Sequence, residues 1–365
     1  MSPGKPDRIF LASTVLLLVA GLLVLASASS VISNDRFGHP YGYVARQALL
    51  GFLGGAAGFL IAYRIPYQRW RTSAPVLLFI ALILLGLVFV PGLGVSLGGA
   101  RRWLHIGSFS VQPAEFLKLA LIFYLAAWFS KRPVATRSLG EGPFPFIIVL
   151  GVVGALLALQ PDVGTFGVIL ATSITMYFVS GGKVRHLLLT GGVVLAALAL
   201  LIPLAPYRLG RITTFLNPQF DPQGIGYQLR QSLIAIGSGG TTGLGLGYSL
   251  QKHYYVPETF GDAIFAILAE EVGLIGVLSF LVLLGIFLFR TLRIARRAPD
   301  EFGQLVAAGV AAWIGFQSFI NIGATTGIVP FTGIPLPFVS YGGTALMFVL
   351  VAAGVVANIS RQGRQ

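Results

Sequence analysis

Apolar positions in this chain run in long blocks rather than in the one-sided stripe of a soluble helix. Ten blocks recur, at about 9–30, 45–63, 73–90, 113–129, 144–159, 163–180, 186–204, 263–289, 303–323 and 340–358. An apolar helix rising about 1.5 Å per residue needs roughly 20 residues to cross a hydrocarbon core. The pattern therefore predicts an all-α polytopic membrane protein with about ten transmembrane helices. Three polar stretches interrupt it: Pro91 to Gln112, Ala205 to Gly261 and Thr325 to Ser340. The third is uncharged but holds Gly327, Pro330, Gly333, Pro335 and Pro337, too many breakers for a regular helix. Irregular backbone near membrane depth persists only when buried in protein or lining a wet cavity. The three stretches are thus expected to converge on one face.

The basic residues orient the bundle. Lys5 and Arg8; Arg64, Arg69 and Arg71; Lys131, Arg132 and Arg137; Lys183 and Arg185; Arg290, Arg293, Arg296 and Arg297; and Arg361 and Arg364 all fall in alternate connections. By the positive-inside rule those connections are cytoplasmic, as are both termini. The longest polar stretch, 205–261, becomes one large extracytoplasmic loop between helices 7 and 8, inside a single transmembrane domain covering 1–365.

Composition agrees. Hydrophobic residues make up 55% of the chain and charged residues 10%, against about 25% charged in ordinary globular chains. The formal charge of +13 sits at helix ends facing anionic lipid, and no basic helix or RNA-type aromatic motif accompanies it, so nucleic acid is not an expected partner. Without cysteine there is no disulfide, zinc–thiolate site or thiol nucleophile. The first apolar block is too long for a signal-peptide core and reads as a retained span. No internal repeat suggests a transporter of the inverted-repeat kind.

Chemistry gathers around Asp262, at the seam between the long polar loop and the eighth helix. A carboxylate at a membrane surface under a polar loop suits proton transfer on a lipid-borne substrate. Glu115 and Lys118, at i and i+3 early in the fourth span, share a helical face. They read either as a phosphate-holding or proton-relaying site or as a structural ion pair. Asp162, after Gln160-Pro161 in a short outer turn, reads as a helix cap or a site residue. Glu270 and Glu271 lie two turns beyond Asp262, Glu270 on the order of 12 Å along the axis. That is too far for a glycosidase-type carboxylate pair, so they are expected to hydrogen-bond neighbouring helices. Arg101, Arg102 and Trp103 in a Gly-rich loop suit a diphosphate and a sugar face, or serve as interfacial anchors. The long loop adds Arg211, Arg230, Gln231, Lys252 and His253. Gly237-Ser238-Gly239-Gly240 there is a weak phosphate signal, lacking the strand before it and the Lys-Ser/Thr after it.

These pieces in this order resemble the SEDS family of bacterial cell-wall proteins (shape, elongation, division, sporulation). The matching stretches are Gly99 to Trp103, Ser110 to Lys118, Gln160 to Gly164, Gly226-Tyr227-Gln228, Gln231-Ser232, Asp262 with Ile264-Phe265-Ala266, Glu270 to Gly273 and Pro335 to Gly343. They span nearly the whole chain. The tail Gly354 to Arg361 and Ser27 to Ser30 look more like the FtsW (division) branch than the RodA (elongation) branch. The resemblance implies a multi-pass protein of the bacterial inner membrane. It implies a peptidoglycan glycosyltransferase that polymerises lipid II onto a growing glycan strand beside a class B penicillin-binding protein transpeptidase. Two other readings stand next to it: a lipid II flippase using Glu115, Lys118 and Glu271 as a polar path, and a non-enzymatic scaffold that activates the transpeptidase. Two departures are visible. Phe260-Gly261-Asp262-Ala263 stands where the family commonly has His-Thr-Asp-Phe, and Thr344 follows Tyr341-Gly342-Gly343 in place of Ser.

The reaction asks for a base to take the proton of an acceptor hydroxyl, assigned to Asp262, and for positive charge on a leaving lipid diphosphate. Arg101, Arg102, Lys118, Arg211, Arg230 and Lys252 are the candidates. No carboxylate cluster marks a protein-built metal site, so a divalent cation (Mg or Mn) would be held mainly by the substrate's diphosphate.

Overall fold

The computed structural model describes residues 4–97, 100–107, 109–131, 143–201, 206–217 and 224–363. Gly99, Arg132, Arg137 and Arg364, singled out above, lie outside the described residues. The chain is a helical bundle, and a helix lies over each of the ten apolar blocks. They are α1 (Arg8–Phe37); α2 (Gly42–Arg46), continued by a π-helical stretch Gln47–Leu53 into α3 (Gly54–Arg64); α4 (Gln68–Leu87); α5 (Pro113–Lys131); α6 (Pro143–Leu159); α7 (Val163–Val179); α8 (Val184–Leu201); and then α11 (Ile264–Arg296), α12 (Glu301–Thr325) and α13 (Gly343–Gln362). Among the described residues, seven of these spans are long and apolar enough to cross a membrane. The polar stretch before α11 carries α9 (Pro206–Leu216) and α10 (Ile225–Ser238).

Burial separates inner helices from outer ones. In α5, 78% of the apolar window is enclosed by protein, against 22% in α11 and 17% in the α2–α3 span. The outer faces carry Leu60, Ile61, Phe79, Val282 and Phe289, each more than half exposed. Apolar surface of this extent on long apolar helices is the physical sign of a lipid-facing wall. Inside, α5 packs on α4 and α12, α12 on α7 and α11, and α13 on α3. The approach of α13 to α3 depends on Gly354, where an added Cβ would stand 2.5 Å from the Phe59 carbonyl oxygen.

Two features depart from the sequence expectation. The stretch read as a Gly-rich loop around Arg101 holds, among the described residues, a small antiparallel sheet of β1 (Gly94–Leu97), β2 (Ala100–Ile106) and β3 (Phe109–Val111), in the order β1-β2-β3. The second is a break inside α11. Gly273 has φ 62° and ψ −171°, splitting the helix. Residues 240–245 thread into the gap and take its freed backbone groups. Leu244 N–H donates to Glu270 O at 3.0 Å and Gly245 N–H to Glu271 O at 2.9 Å, while Leu274 N–H and Ile275 N–H donate to Gly240 O and Thr241 O at 3.0 and 3.1 Å. Residues 264–271 before the break are buried in the core; after it one face, with Phe280, Leu284 and Phe287, stays buried while Leu274, Ile275, Leu278 and Val282 are exposed.

Asp262 precedes the first turn of α11, and the arginines Arg290, Arg293, Arg296 and Arg297 close its far end. Both chain ends meet there: Gly4 N–H donates to Arg361 O at 2.9 Å, and Arg290 pairs with Asp7. The site and the termini therefore occupy opposite ends of the bundle.

Candidate active site

The uncharged Gly/Pro stretch between α12 and α13 builds the seat of Asp262. Tyr341 N–H donates to Phe260 O at 2.8 Å, and Ser340 Oγ donates to Gly261 O at 2.7 Å. Asn321 of α12 donates through Nδ2 to Asp262 O at 2.8 Å and to Ile334 O at 2.7 Å. One carboxamide thus pins the aspartate's backbone to the strap that covers it. Gly333, at φ 72°, brings the strap so close that a Cβ there would lie 3.5 Å from Asp262 Oδ2. From the long loop, Gln228 of α10 donates through Nε2 to Oδ1 at 3.2 Å. Arg211 of α9 donates to Thr332 O of the strap at 3.3 Å.

Asp262 keeps a partly open face, yet protein crowds it from most sides. That enclosure, followed by the nearby Glu258 carboxylate, pushes its pKa up to about 7; the Gln228 hydrogen bond and the Arg211 charge pull the other way. An acid that gives up its proton near neutrality is suited to accept one from a hydroxyl. Glu258 and Phe338, on either side of the site, hold left-handed backbone at φ 52° and 68°, a strain of about 1–3 kcal/mol each that the surrounding bonds must sustain.

Beneath the strap lies a second polar layer. Gln317 donates through Nε2 to Pro335 O at 2.9 Å, while its Oε1 accepts from Lys118 Nζ and Trp313 Nε1, both at 2.7 Å. Lys118 also pairs with Glu115 at 2.8 Å, and both are buried. The pair is therefore a strut under the strap, not a free phosphate ligand. A void of about 10 Å³ beside Lys118 has room for one water at most. Glu271 belongs to a separate network, so the three residues of the polar path do not line one passage among the described residues.

Several other candidates are also committed to structure. Successive residues of a strand face opposite ways, so Arg101 is exposed while Arg102 turns inward. Arg102 donates to the carbonyls of Gln160 (3.2 Å) and Pro161 and lies 3.8 Å from Asp162. Asp162 caps α7, accepting from Thr165 N–H at 3.3 Å. The Arg101–Arg102 clamp is thereby corrected to one available guanidinium, with Trp103 half-buried on the same strand. Lys252 is buried and bonded to Glu271 (3.3 Å), Ser27 (3.1 Å) and Gly247 O (2.6 Å), so it locks the loop to α1 and is no diphosphate ligand. Glu270 accepts from Leu250 N–H at 3.0 Å and from the Ser249 hydroxyl. Both glutamates chiefly hold the loop, where neighbouring helices were the expected partners; Ser27 of α1, on Glu271, and Ser238 of α10, 3.5 Å from Glu270, are the helical contacts. On α10, Gln231 lies one turn from Gln228 on the same face, and Arg230 is exposed beside it. His253 is exposed in the loop.

The sequence reading missed three groups. Asn321 and Gln317 are one signal, carboxamides at i and i+4 on a single face of an apolar helix. Glu258 lies four residues from Asp262. The third is an aromatic and cationic rim beside Phe260. Tyr43 stacks 4.5 Å from Phe260 and 5.1 Å from Tyr341. Arg36 donates to Tyr43 Oη at 3.0 Å, and Arg46 lies 4.6 Å over the Phe37 ring. Arg36 and Arg46 are exposed, which puts two further positive charges on the rim.

The family model for cell cycle proteins of the FtsW, RodA and SpoVE kind matches residues 7–365. The chain belongs to this family. It is 43% identical to stage V sporulation protein E of Bacillus subtilis (strain 168), over 99% of this chain and 98% of that protein. It is 40% identical to FtsW of Trichlorobacter lovleyi, named a probable peptidoglycan glycosyltransferase, over 97% and 93%. Among solved structures it matches a chain of a peptidoglycan synthase complex that coordinates polymerization and crosslinking, with TM-score 0.78, 29% identity and 98% of each chain covered. It also matches the rod shape determining protein RodA of Thermus thermophilus, with TM-score 0.73, 28% identity and 99% and 98% covered. FtsW/RodA/SpoVE membership agrees with the helical, multi-pass architecture described above.

Proposed function

We infer that this chain is a peptidoglycan glycosyltransferase that polymerises lipid II, with Asp262 as the general base. The observation that carries the assignment of the base is the enclosed Asp262 carboxylate, poised near neutrality and roofed by the loop and the strap. The acceptor sugar's hydroxyl gives its proton to this carboxylate as its oxygen attacks the donor's anomeric carbon. The bond from that carbon to the diphosphate oxygen breaks, and the electron pair leaves with undecaprenyl diphosphate. One base suffices for inversion. The Arg211 charge acts on the base, and exposed Arg101, Arg230, Arg36 and Arg46 can meet the diphosphate. Among the described residues no three His, Asp or Glu side chains converge, so a divalent cation would be carried largely by phosphate oxygens. The active face is the extracytoplasmic side of the inner membrane, and the partner is a class B penicillin-binding protein. A coordinated polymerization and crosslinking complex among the structural relatives supports that partnership.

The test is one gel of glycan products from purified wild type and Asp262→Asn. Loss of polymer by about 10²–10⁴-fold in a folded variant is expected. Undiminished polymer would remove Asp262 as the base, and no polymer from wild type with its transpeptidase present would remove the enzymatic reading.

A further inference from the structure

One polar cavity takes no part in this chemistry, and it lies at the opposite end of the bundle. Lys5, Asp7, Arg293, Arg297, Ser360 and Gly363 line a notch of about 130 Å³, far above the roughly 10–15 Å³ that one water needs. The N-terminal segment and the end of α13 form one wall, joined by Gly4 N–H to Arg361 O at 2.9 Å and Asp7 N–H to Ser360 Oγ at 3.1 Å. The end of α11 forms the other. The acid in this lining is already matched. Asp7 accepts from Arg290 Nε at 3.2 and 3.1 Å and from Arg290 Nη2, and it caps α1 through Phe10 N–H at 2.9 Å. Lys5, Arg293 and Arg297 have no acidic partner among the described residues. Three positive charges thus face one recess, and the C-terminal dipole of α11 offsets only about half a charge.

The recess continues into an apolar track. Ile286, Phe289 and Arg293 stand at i, i+3 and i+7 on one face of α11, and Ile286 and Phe289 are 39% and 65% exposed. A free phosphate would use only the cations. A molecule with an anionic head and a hydrocarbon tail would use both parts. We propose that this notch binds the headgroup phosphate of an anionic membrane phospholipid, with an acyl chain lying along Phe289 and Ile286. Basic recesses between helices at the cytoplasmic surface are suited to such headgroups. The bound lipid would tie together the N-terminal segment, α11 and α13, so occupancy stabilises the folded chain by mass action.

The full chain is placed in nanodiscs of phosphatidylcholine alone or with phosphatidylglycerol. Melting is recorded, and retained lipid is counted by native mass spectrometry. Phosphatidylglycerol is expected to raise the melting temperature and to stay bound. The triple variant Lys5→Gln, Arg293→Gln, Arg297→Gln is expected to lose both effects, at about fivefold in affinity per charge. A Lys183→Gln, Arg185→Gln control, with cations on the same face outside the notch, should keep them. Equal losses in the control, or none in the triple variant, overturn the proposal. Displacement of the lipid by inorganic phosphate would make the notch a soluble-phosphate site and also overturns it. Should the triple variant fail to fold, the wild-type arm decides, because melting indifferent to phosphatidylglycerol refutes the lipid assignment.

Discussion

The titration of Asp262 is governed by three neighbours, Glu258, Gln228 and Arg211, and each can be changed to move it. Activity that depends on the ionised carboxylate should fall about tenfold per pH unit below about 7. Glu258→Gln removes the like charge and should carry the pH–rate profile toward acid. Gln228→Leu removes a hydrogen bond to the ionised form and should carry it toward base. Profiles that stay superimposed on wild type would separate these residues from the base. Stability has its own sign. A free aspartate titrates near ~3.9 and the folded one at about 7. Between those values the folded state holds the extra proton, so stability declines as pH rises through the window and levels off above it. Asp262→Asn should flatten that decline in a melting series while abolishing polymer. Asp262 itself was legible in the sequence, because a charge at the mouth of an apolar helix is costly and conspicuous. Its neighbours were not. Gln228, Glu258 and Asn321 reach it through a loop helix, a turn and a distant span, and no local pattern encodes those meetings.

The break in α11 is an element built by two segments at once. Gly273 adopts a left-handed backbone, and a Cβ there would stand 2.2 Å from Gly243 N. Gly273→Ala should cost about 1–3 kcal/mol for the conformation alone, more with the clash. Lower melting and faster proteolysis around Leu244 to Leu246 are the expected readouts, and an unchanged loop would show that the insertion does not depend on this glycine. The strut of α5 can be tested similarly. Lys118→Met strands the Glu115 carboxylate in the core and should cost about 3–5 kcal/mol. Adding Glu115→Gln should recover much of it in the same melting assay. A double variant no better than the single one would mean that the lysine stabilises through Gln317 rather than through its partner acid. The i, i+3 spacing of Glu115 and Lys118 announced a contact but left its role open. Gln317, 199 residues away from Lys118, decides that the pair supports the strap.

Across the bundle, the chain separates the end that carries Asp262 from an arginine-rich end along α11. The chain has no cysteine, so single replacements report orientation cleanly. An impermeant maleimide should label Tyr255→Cys in intact cells or spheroplasts, and Arg185→Cys only after the membrane is opened. The reverse pattern would invert the topology and place Asp262 in the cytoplasm. Helices over all ten apolar blocks, the meeting of the three polar stretches' neighbours near one end and the gathering of cations at the other could be read in advance. Each depends on hydrophobic length or on charge counted along the chain, and bilayer thickness makes such counting informative.

What the amino-acid order alone determined is the membrane architecture, its expected orientation and the acid at the helix mouth. Bilayers act on these one segment at a time. Only tertiary structure decided which polar groups remain free for chemistry. Arg102, Asp162, Lys118, Glu115 and Lys252 looked equivalent to Arg101 or Arg230 as charges in polar or intramembrane positions. Packing committed them to carbonyls, caps and ion pairs, because a buried charge must find its partner wherever the fold brings one.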